Sequence, residues 1–298
     1  MVKQRILILG ANGMIGHKMY QVLSHKFSDV WALSRKNIDF EPYGSLFVSS
    51  KYVKCNDLSN FEDVLSILDS INPDVIINAV GVTIRRGIND LLSYSIRVNS
   101  ALPHFLGEWV NRKKSKRLIH FSTDCVFSGK SGSYLESTIP DAFDYYGKTK
   151  GLGEIITSQC LTLRGSMIGR ELEYHTELLE WFLSQKGKTI KGFSNALYSG
   201  ISTIQMAEYV SKIISDFPEM SGLYNVSSIP ISKFNLLQLF KKEFQIDVEI
   251  VNDTNYISKK DLISERFYQD LGISIPSWNE LVITLKEDSI LNKAIYKN

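Results

Sequence analysis

The sequence predicts an α/β protein built on a doubly wound parallel sheet. Over the first 165 residues, short and nearly continuous apolar runs alternate with longer segments of helical period. Strands of a parallel sheet have such continuous runs because helices cover both faces of the sheet. A glycine-rich turn follows the first apolar run directly, as expected where a tight turn connects the first strand to the first helix.

Six apolar runs are the predicted strands, and six in series fit a doubly wound order: Ile6–Leu9, Val30–Leu33, Tyr52–Cys55, Val75–Asn78, Leu118–Ser122 and Leu161–Arg164. Between them, Ser59 and Glu62 have the spacing of a capping box that opens a helix. An apolar stripe from Tyr94 to Trp109 predicts another helix, and Pro103 within it predicts a kink or a late start.

Beyond residue 165 the alternation weakens. Helical periods remain at Leu178–Leu183, Ile204–Ile214 and Phe234–Phe244, with short strand-like runs at Leu223–Val226 and Val248–Val251. We expect one domain over residues 1–165, to which later segments return, and a smaller, partly interleaved lobe mainly over residues 166–298. The boundary is soft because no Gly/Ser linker separates the two.

The composition is that of an ordinary globular protein. Among 298 residues, 44% are apolar and 22% charged, and 34 basic against 32 acidic residues give a formal charge of +2. The basic run 112–117 indicates a solvated helix end, so no nucleic-acid partner is expected. Three cysteines without C-x-x-C pairing and histidines without ligand spacing indicate a reducing compartment and no metal site. We expect a cytoplasmic protein without membrane spans, since no apolar run reaches 18 residues.

The first motif that carries chemistry is the glycine-rich turn Gly10-Ala11-Asn12-Gly13-Met14-Ile15-Gly16. Its glycines allow a tight turn, a close approach of the backbone to a pyrophosphate and close packing of the helix on the sheet. The helix that follows presents N–H groups and a positive dipole end to phosphates. The strand before it and the helix after it make this motif a predicted dinucleotide site.

The end of the second predicted strand bears on which dinucleotide binds. It contains Arg35 and Lys36, with no carboxylate before Asp39. An acidic residue here would bind the 2′-hydroxyl of NAD, whereas a basic residue accepts the 2′-phosphate of NADP. The sequence therefore favours NADP, with Arg35 as the phosphate ligand.

The candidate catalytic groups come from two later segments. Tyr146 and Lys150 are four residues apart and share one face if the segment is helical. The strand Leu118–Ser122 is followed by Thr123 and Asp124, at the carboxyl edge where such sheets bind ligands. Together these groups are specific enough to indicate a catalytic site at that edge of the sheet.

With the glycine pattern, five short motifs resemble the extended short-chain dehydrogenases/reductases: Asp57-Leu58, Asn78-Ala79, Asn99, Ser122-Thr123-Asp124 and Tyr146-x-x-x-Lys150. More narrowly, residues 122–129, the Tyr134-x-Glu136 pair and residues 146–154 resemble the dTDP-4-dehydrorhamnose reductase family. The resemblance covers nearly the whole chain. It implies a Rossmann-like sheet in which residues 1–165 bind NADP(H) and the later lobe binds substrate.

The resemblance also implies an activity and a set of residues. The activity is NADPH-dependent reduction of the C4 ketone of a nucleotide-linked 4-keto-6-deoxy sugar, for surface polysaccharide synthesis. Thr123, Tyr146 and Lys150 would be catalytic, and Asp124, Cys125 and Arg164 would join Thr123 in binding substrate. The residues expected to bind the cofactor are Gly10, Asn12, Gly13, Met14, Ile15, Gly16, Arg35, Asp57, Leu58, Ala79, Val80, Gly81, Asn99, Tyr146 and Lys150. A homodimer is compatible with the resemblance.

Two departures leave the substrate open. Cys125 stands where these reductases carry tyrosine, and their Arg-Pro-x-x-Ser stretch has no clear counterpart around residues 259–265. A UDP-linked amino sugar is therefore an alternative to a dTDP sugar. Because no glutamate follows Asp124, a dehydratase is disfavoured. Cys125 and His175 would suit a bifunctional epimerase-reductase of the GDP-fucose synthase type, and a non-catalytic NADP-binding subunit is a further alternative.

Overall fold

A computed structural model describes residues 2–36, 43–44 and 46–296 of the chain. Its strands are β1 (Val2–Leu9), β2 (Phe27–Ser34), β3 (Tyr52–Lys54), β4 (Val75–Asn78), β5 (Arg117–Ser122), β6 (Cys160–Arg164), β7 (Met167–Ile168), β8 (Thr189–Phe193), β9 (Ala196–Tyr198), β10 (Ile201–Ser202), β11 (Gly222–Asn225), β12 (Ile231–Ser232), β13 (Glu249–Asp253) and β14 (Ser258–Lys259).

The α-helices are α1 (Met14–Lys26), α2 (Phe61–Ile71), α3 (Leu92–Ile96), α4 (Leu102–Asn111), α5 (Tyr145–Leu152), α6 (Leu178–Leu183), α7 (Thr203–Asp216), α8 (Lys233–Phe244), α9 (Glu265–Leu271) and α10 (Trp278–Leu291). Within the described ranges, no helix is both long enough and apolar enough to cross a lipid bilayer.

The main sheet has seven strands in the order β11-β6-β5-β4-β1-β2-β3, and every pair in it is parallel. This is the doubly wound order that reverses direction beside β1. The predicted fold class is confirmed, and all six predicted strands lie in this sheet. The seventh strand, β11, was predicted only as a strand-like run beyond residue 165, and it returns to pair with β6.

Hydrophobic clusters cover both faces of the sheet because side chains along a strand alternate between its faces. In β1, Ile6 and Ile8 belong to the cluster that includes α1, α7 and α10 residues, whereas Leu7 and Leu9 belong to the cluster that includes α2 and α4 residues. Burial on both faces explains the nearly continuous apolar runs of the sequence.

Three small sheets lie outside the main one: β12-β9-β14, β13-β8 and β10-β7. They come from residues 167–259, within the segment for which the sequence predicts a separate lobe. The division at residue 165 remains a prediction.

The predicted capping box at Ser59 is wrong by one residue. The N-cap of α2 is Asn60, whose side-chain Oδ1 accepts a hydrogen bond from the Glu62 backbone N–H at 3.2 Å. Asparagine caps helices at least as well as serine, and adjacent cap candidates cannot be separated by spacing alone.

The kink or late helix start predicted at Pro103 is confirmed. Residues Arg97–Ala101 form a π-helical turn between α3 and α4, and Pro103 lies in the first turn of α4. A proline is tolerated there because the first N–H groups of a helix have no intrahelical partner.

The glycine-rich turn places α1 close to the sheet. Gly10 has a φ of +78°, in the left-handed region that favours glycine. A Cβ atom at Gly16 would lie only 2.0 Å from the carbonyl oxygen of Gly10. The first turn of α1 can therefore rest on the end of β1 only if residue 16 has no side chain.

We predict that Gly16→Ala lowers the free energy of unfolding by about 2 kcal/mol or more, because backbone atoms cannot move aside as a flexible side chain would. Thermal unfolding followed by circular dichroism measures the change. Gly151→Ala is the control, since its Cβ would meet atoms no closer than 3.6 Å and lie in a helix. Equal midpoints for wild type and Gly16→Ala would contradict the prediction.

Candidate active site

A cleft made of three adjoining cavities lies along the carboxyl ends of β1, β4 and β5. The glycine-turn cavity has a volume of about 150 Å³, the central cavity about 170 Å³ and the outer cavity about 270 Å³. Met14 lines all three, so they form one continuous cleft. Ligands of doubly wound folds bind at this edge, next to the point where the strand order reverses.

The glycine-turn cavity is built to hold phosphate groups. Gly13 is the N-cap of α1, its cap position makes no side-chain hydrogen bond, and the first turn of the helix has no acidic residue. Gly13 and Met14, at the start of the helix, line the cavity, where the helix dipole favours an anion. Predicted cofactor residues on its walls are Gly10, Asn12, Gly13, Met14, Arg35, Leu58, Ala79, Val80 and Gly81.

Two cations follow β2 at the far end of this cavity. Arg35 donates a hydrogen bond from Nη1 to the Tyr94 hydroxyl at 3.4 Å, and both residues line the cavity. Lys36 forms an ion pair with Glu173 at 3.0 Å and lies 4.9 Å from the centre of the Tyr174 ring. The residues present thus fit a dinucleotide that carries a further phosphate on its adenosine ribose.

The catalytic candidates meet in the central and outer cavities. The Asp144 side chain caps α5 by accepting from the Gly147 N–H at 2.8 Å, which fixes where the helix begins. Tyr146 and Lys150 then lie one helical turn apart, and both line the central cavity. Lys150 is buried and donates from Nζ to the Phe121 carbonyl at 2.6 Å.

Thr123 immediately follows β5 and lines the outer cavity together with Tyr146. Its hydroxyl donates to Asp124 Oδ1 at 3.1 Å and accepts from the Cys125 backbone N–H at 3.1 Å. These contacts fix the Thr123 hydroxyl at the carboxyl end of β5. A hydrogen-bonding group and a proton donor therefore face the same space.

Burial dominates the electrostatics of the site. It raises the pKa of the Tyr146 phenol, as does Cys125, while a hydrogen bond with Thr123 opposes the shift. Burial also lowers the pKa of Lys150 to about 8, with Glu154 acting in the opposite direction. At neutral pH the tyrosine is thus protonated and able to donate, and the lysine is still a cation.

Four predicted cofactor residues lie outside the glycine-turn cavity: Gly16, Asp57 and Asn99 behind its walls, and Ile15 farther along the cleft. Asn99 is buried and donates to the Val82 carbonyl at 3.0 Å and to the Thr149 hydroxyl at 3.1 Å, which ties the cavity wall to α5. Gly16 supports the turn, and the Asp57 side chain accepts from the Ser59 N–H at 2.8 Å. Ile15 lines the central and outer cavities.

The predicted substrate residues divide into two groups. Thr123 and Cys125 line the outer cavity, and Asp124 is buried directly behind them. Arg164 instead has an exposed fraction of 1% and makes two hydrogen bonds to Glu154, at 2.8 and 2.6 Å. This bidentate ion pair gives Arg164 a structural position in place of the predicted contact with substrate.

His175 is not among the residues that line the outer cavity with Cys125. His175 contacts Glu180 at 3.3 Å, whereas Cys125 lies on the wall of the outer cavity. Burial, and then Asp124, raise the pKa of the Cys125 thiol to about 12. A thiol with so high a pKa is a weak acid–base group at neutral pH.

Sequence reasoning missed several residues of the cleft. Arg85 follows β4 and lines the outer cavity. The segment after β7 supplies Glu171, Glu173 and Tyr174 to the glycine-turn cavity. The same segment supplies Glu177 to the central and outer cavities. None of them belongs to a motif. Their position depends on contacts between distant parts of the chain.

Three features together define the class of extended short-chain dehydrogenases/reductases. They are a parallel sheet in this order, a glycine-rich first turn, and a Tyr-x-x-x-Lys helix beside a strand-end threonine. Comparison with known proteins narrows this class. Residues 4–254 match the family described as the RmlD substrate binding domain. The chain belongs to this family, and the resemblance inferred from its motifs is confirmed.

Individual relatives agree with this assignment. A dTDP-4-dehydrorhamnose reductase of Aggregatibacter actinomycetemcomitans is 29% identical over 237 residues, which are 76% of this chain and 74% of the relative. The spore coat polysaccharide biosynthesis protein SpsK of Bacillus subtilis is 25% identical over 93% of this chain and 94% of its own length. The crystal structure of a Bacillus anthracis dTDP-4-dehydrorhamnose reductase in complex with NADP has a TM-score of 0.77 at 19% identity, covering 96% of this chain and 100% of the other.

We predict that Lys150 costs stability at neutral pH, because its folded-state pKa of about 8 lies below its ordinary value of 10.5. Between those values the unfolded chain still holds a proton that the folded chain has released, so stability rises with pH. The free energy of unfolding of wild type relative to Lys150→Met should therefore increase by up to about 3 kcal/mol from pH 7.5 to 10.5.

Urea unfolding of both proteins across this pH range measures the difference. Other alkaline titrations occur in both proteins and cancel. A difference that stays flat from pH 7.5 to 10.5 would show that burial does not lower the pKa of Lys150.

Proposed function

We propose that this protein catalyses NADPH-dependent reduction of the C4 ketone of a nucleotide-linked 4-keto-6-deoxy sugar. The observation that carries the proposal is the meeting of Thr123, Tyr146 and Lys150 at the wall of one cleft, next to the glycine-turn cavity. Relatives named dTDP-4-dehydrorhamnose reductase and dTDP-4-keto-6-deoxy-D-glucose reductase support this reaction class.

The cofactor is proposed to lie along the cleft, with its phosphates at the N-terminus of α1 and its adenosine 2′-phosphate near Arg35. Bound there, NADPH supplies the hydride for the ketone carbon. Ala79, Val80 and Gly81 line both the glycine-turn cavity and the central cavity, so they form the wall of the cleft between its two ends.

The chain's own groups would supply the rest of the chemistry. Tyr146 donates the proton to the developing alkoxide, and its raised pKa keeps the phenol protonated until that moment. Thr123 would turn its single hydroxyl proton from Asp124 to the ketone oxygen and so hold that oxygen beside Tyr146. The Lys150 ammonium, fixed by the Phe121 carbonyl, stabilises the phenolate that remains.

The nucleotide and the sugar are the finer part of the proposal. A dTDP-linked 4-keto-6-deoxy sugar is the first candidate, because the relatives act on dTDP sugars by their names. Cys125 is smaller than the tyrosine of similar reductases and lines the outer cavity, so a UDP-linked amino sugar with a larger substituent is the second candidate. We propose a role in polysaccharide biosynthesis on the same basis.

A panel of dTDP-, UDP- and GDP-linked 4-keto-6-deoxy sugars tests the function directly. Loss of NADPH absorbance at 340 nm with at least one dTDP or UDP sugar is expected. Binding of NADPH without turnover of any sugar in the panel would instead favour a non-catalytic NADP-binding subunit.

We predict that Tyr146→Phe lowers the turnover number by about 10²- to 10⁴-fold, because it removes only the hydroxyl that donates the proton. The dissociation constant for NADPH, measured by fluorescence titration, should change less than about twofold since the ring remains. Tyr145→Phe is the matched control on the exposed side of the same helix. Near-normal turnover by Tyr146→Phe would exclude the tyrosine as the proton donor.

We predict that wild type prefers NADPH to NADH and that Arg35→Asp removes this preference. The aspartate would repel the 2′-phosphate and accept a hydrogen bond from the 2′-hydroxyl of NADH. The ratio of kcat/KM for the two cofactors is the measurement, and Arg112→Asp, at an exposed surface pair, is the control. A wild type that already favours NADH would refute the role of Arg35.

A further inference from the structure

The segment between β7 and α6 crosses the whole cleft. We call residues 169–177 the cleft loop. Glu171, Glu173 and Tyr174 of this loop line the glycine-turn cavity, while Glu177 lines the central and outer cavities. One loop thus places a carboxylate beside the reaction centre.

Buried ionic contacts hold the cleft loop in place. Arg170 pairs with Glu180 at 2.6 Å, and the Glu180 carboxylate also accepts from the Glu171 N–H at 2.9 Å. The Glu171 carboxylate accepts from the N–H groups of Thr176 at 2.6 Å and Glu177 at 2.7 Å. Since Arg170, Glu171 and Glu180 are all buried, the backbone of Glu177 is fixed.

Two consecutive residues of this loop have strained backbones. Tyr174 has a φ of +73° and His175 a φ of +50°, in the left-handed region that residues other than glycine rarely adopt. Such strain persists only where the surrounding structure enforces it, and it concentrates at functional sites. Glu177, which lines the central and outer cavities, follows two residues after this strained pair.

The Glu177 side chain is directed at the cleft and not at its own helix. Glu177 is the N-cap of α6, yet among the described residues its side chain makes no capping hydrogen bond. Arg85 also lines the outer cavity, and its Nη1 lies 3.9 Å from the Glu177 carboxylate. Both side chains are partly exposed, as expected for groups that line an open cavity.

The position of Glu177 relative to Tyr146 indicates what it contacts. Both residues line the central and the outer cavity. A ketone that accepts a proton from Tyr146 would lie in this shared space, where Glu177 is the carboxylate available to the rest of the ring. A carboxylate is an acceptor only, and a sugar hydroxyl is the donor that it would bind there, with the added strength of a charged acceptor.

We propose that Glu177 is a specificity-determining residue that accepts a hydrogen bond from the sugar hydroxyl beside the reacting ketone, with the neighbouring Arg85 holding the carboxylate in place. This inference rests on the proposed function, because it assumes a keto sugar in the outer cavity. It assigns recognition of the ring to the cleft loop and leaves proton transfer to Tyr146.

The test compares dTDP-4-keto-6-deoxyglucose with its 3-deoxy counterpart, which lacks the hydroxyl beside the ketone. For Glu177→Ala we expect KM for the 3-hydroxy sugar to rise by about ten- to a hundredfold, with kcat changed much less. KM for the 3-deoxy sugar should change less than about threefold, so the preference of wild type for the hydroxyl is lost. Glu177→Gln, whose amide oxygen still accepts, should recover most of the affinity.

NADPH affinity and a control variant complete the experiment. Fluorescence titration should give the same dissociation constant for NADPH in wild type and Glu177→Ala, within about twofold. Glu108→Ala, at an exposed pair on α4, should leave every kinetic constant unchanged.

Three outcomes would overturn the proposal: equal losses with the 3-hydroxy and 3-deoxy sugars, no loss with either, or weaker NADPH binding as the main effect. Thermal unfolding of each variant shows whether a loss of activity comes from misfolding. If Glu177→Ala misfolds, the same comparison of the two sugars is made with Glu177→Gln. Failure of the proposed function looks different, because wild type itself would reduce no 4-keto sugar nucleotide.

Discussion

The hydrogen bond from Lys150 Nζ to the Phe121 carbonyl is the contact on which the arrangement of the site depends. It joins α5 to the end of β5, two residues before Thr123, and so brings the helix with Tyr146 to the strand end with the threonine. Burying the ammonium is unfavourable, as the lowered pKa of Lys150 shows. The carbonyl and the nearby Glu154 carboxylate offset part of that cost, so the position of the lysine follows from electrostatics as well as packing.

Glu154 in turn belongs to a buried network. Its carboxylate accepts from the Ser122 hydroxyl at 2.6 Å and from the Arg164 guanidinium, which also lies 4.9 Å from the centre of the Phe127 ring. The network joins the ends of β5 and β6 to the segment after α5. Removing one partner of such a pair would leave a buried charge without compensation. Arg164 therefore supports the catalytic groups from behind, at a distance from the cleft.

The parts of the fold and site that the sequence predicts are those set by short-range spacing. The strands, the glycine-rich turn and the Tyr146–Lys150 pair depend on neighbours within one or two helical turns, and they lie where their patterns indicate. Arg164 shows the limit, because an arginine at the end of a buried strand is equally compatible with a ligand and with a buried partner such as Glu154. The cleft loop lies beyond that limit, since contacts of Glu171 and Glu180 with backbone groups place Glu177, and no local pattern encodes them.

The residues that the sequence predicts carry the proposed proton transfer, whereas those that it misses carry the proposed recognition of the substrate. The proposed proton donor and its lysine come from a motif whose spacing is fixed by one helix, so they can be identified from the sequence alone. The proposed recognition of substrate would rely on side chains from different loops, including Arg85 after β4 and Glu177 before α6, which both line the outer cavity. At the strand end, Cys125 offers a thiol that burial keeps protonated, in place of a larger aromatic hydroxyl. With cysteine at position 125 and the Glu177 carboxylate in the same cavity, the sugar would form a different set of hydrogen bonds, while Tyr146 stays the proposed proton donor.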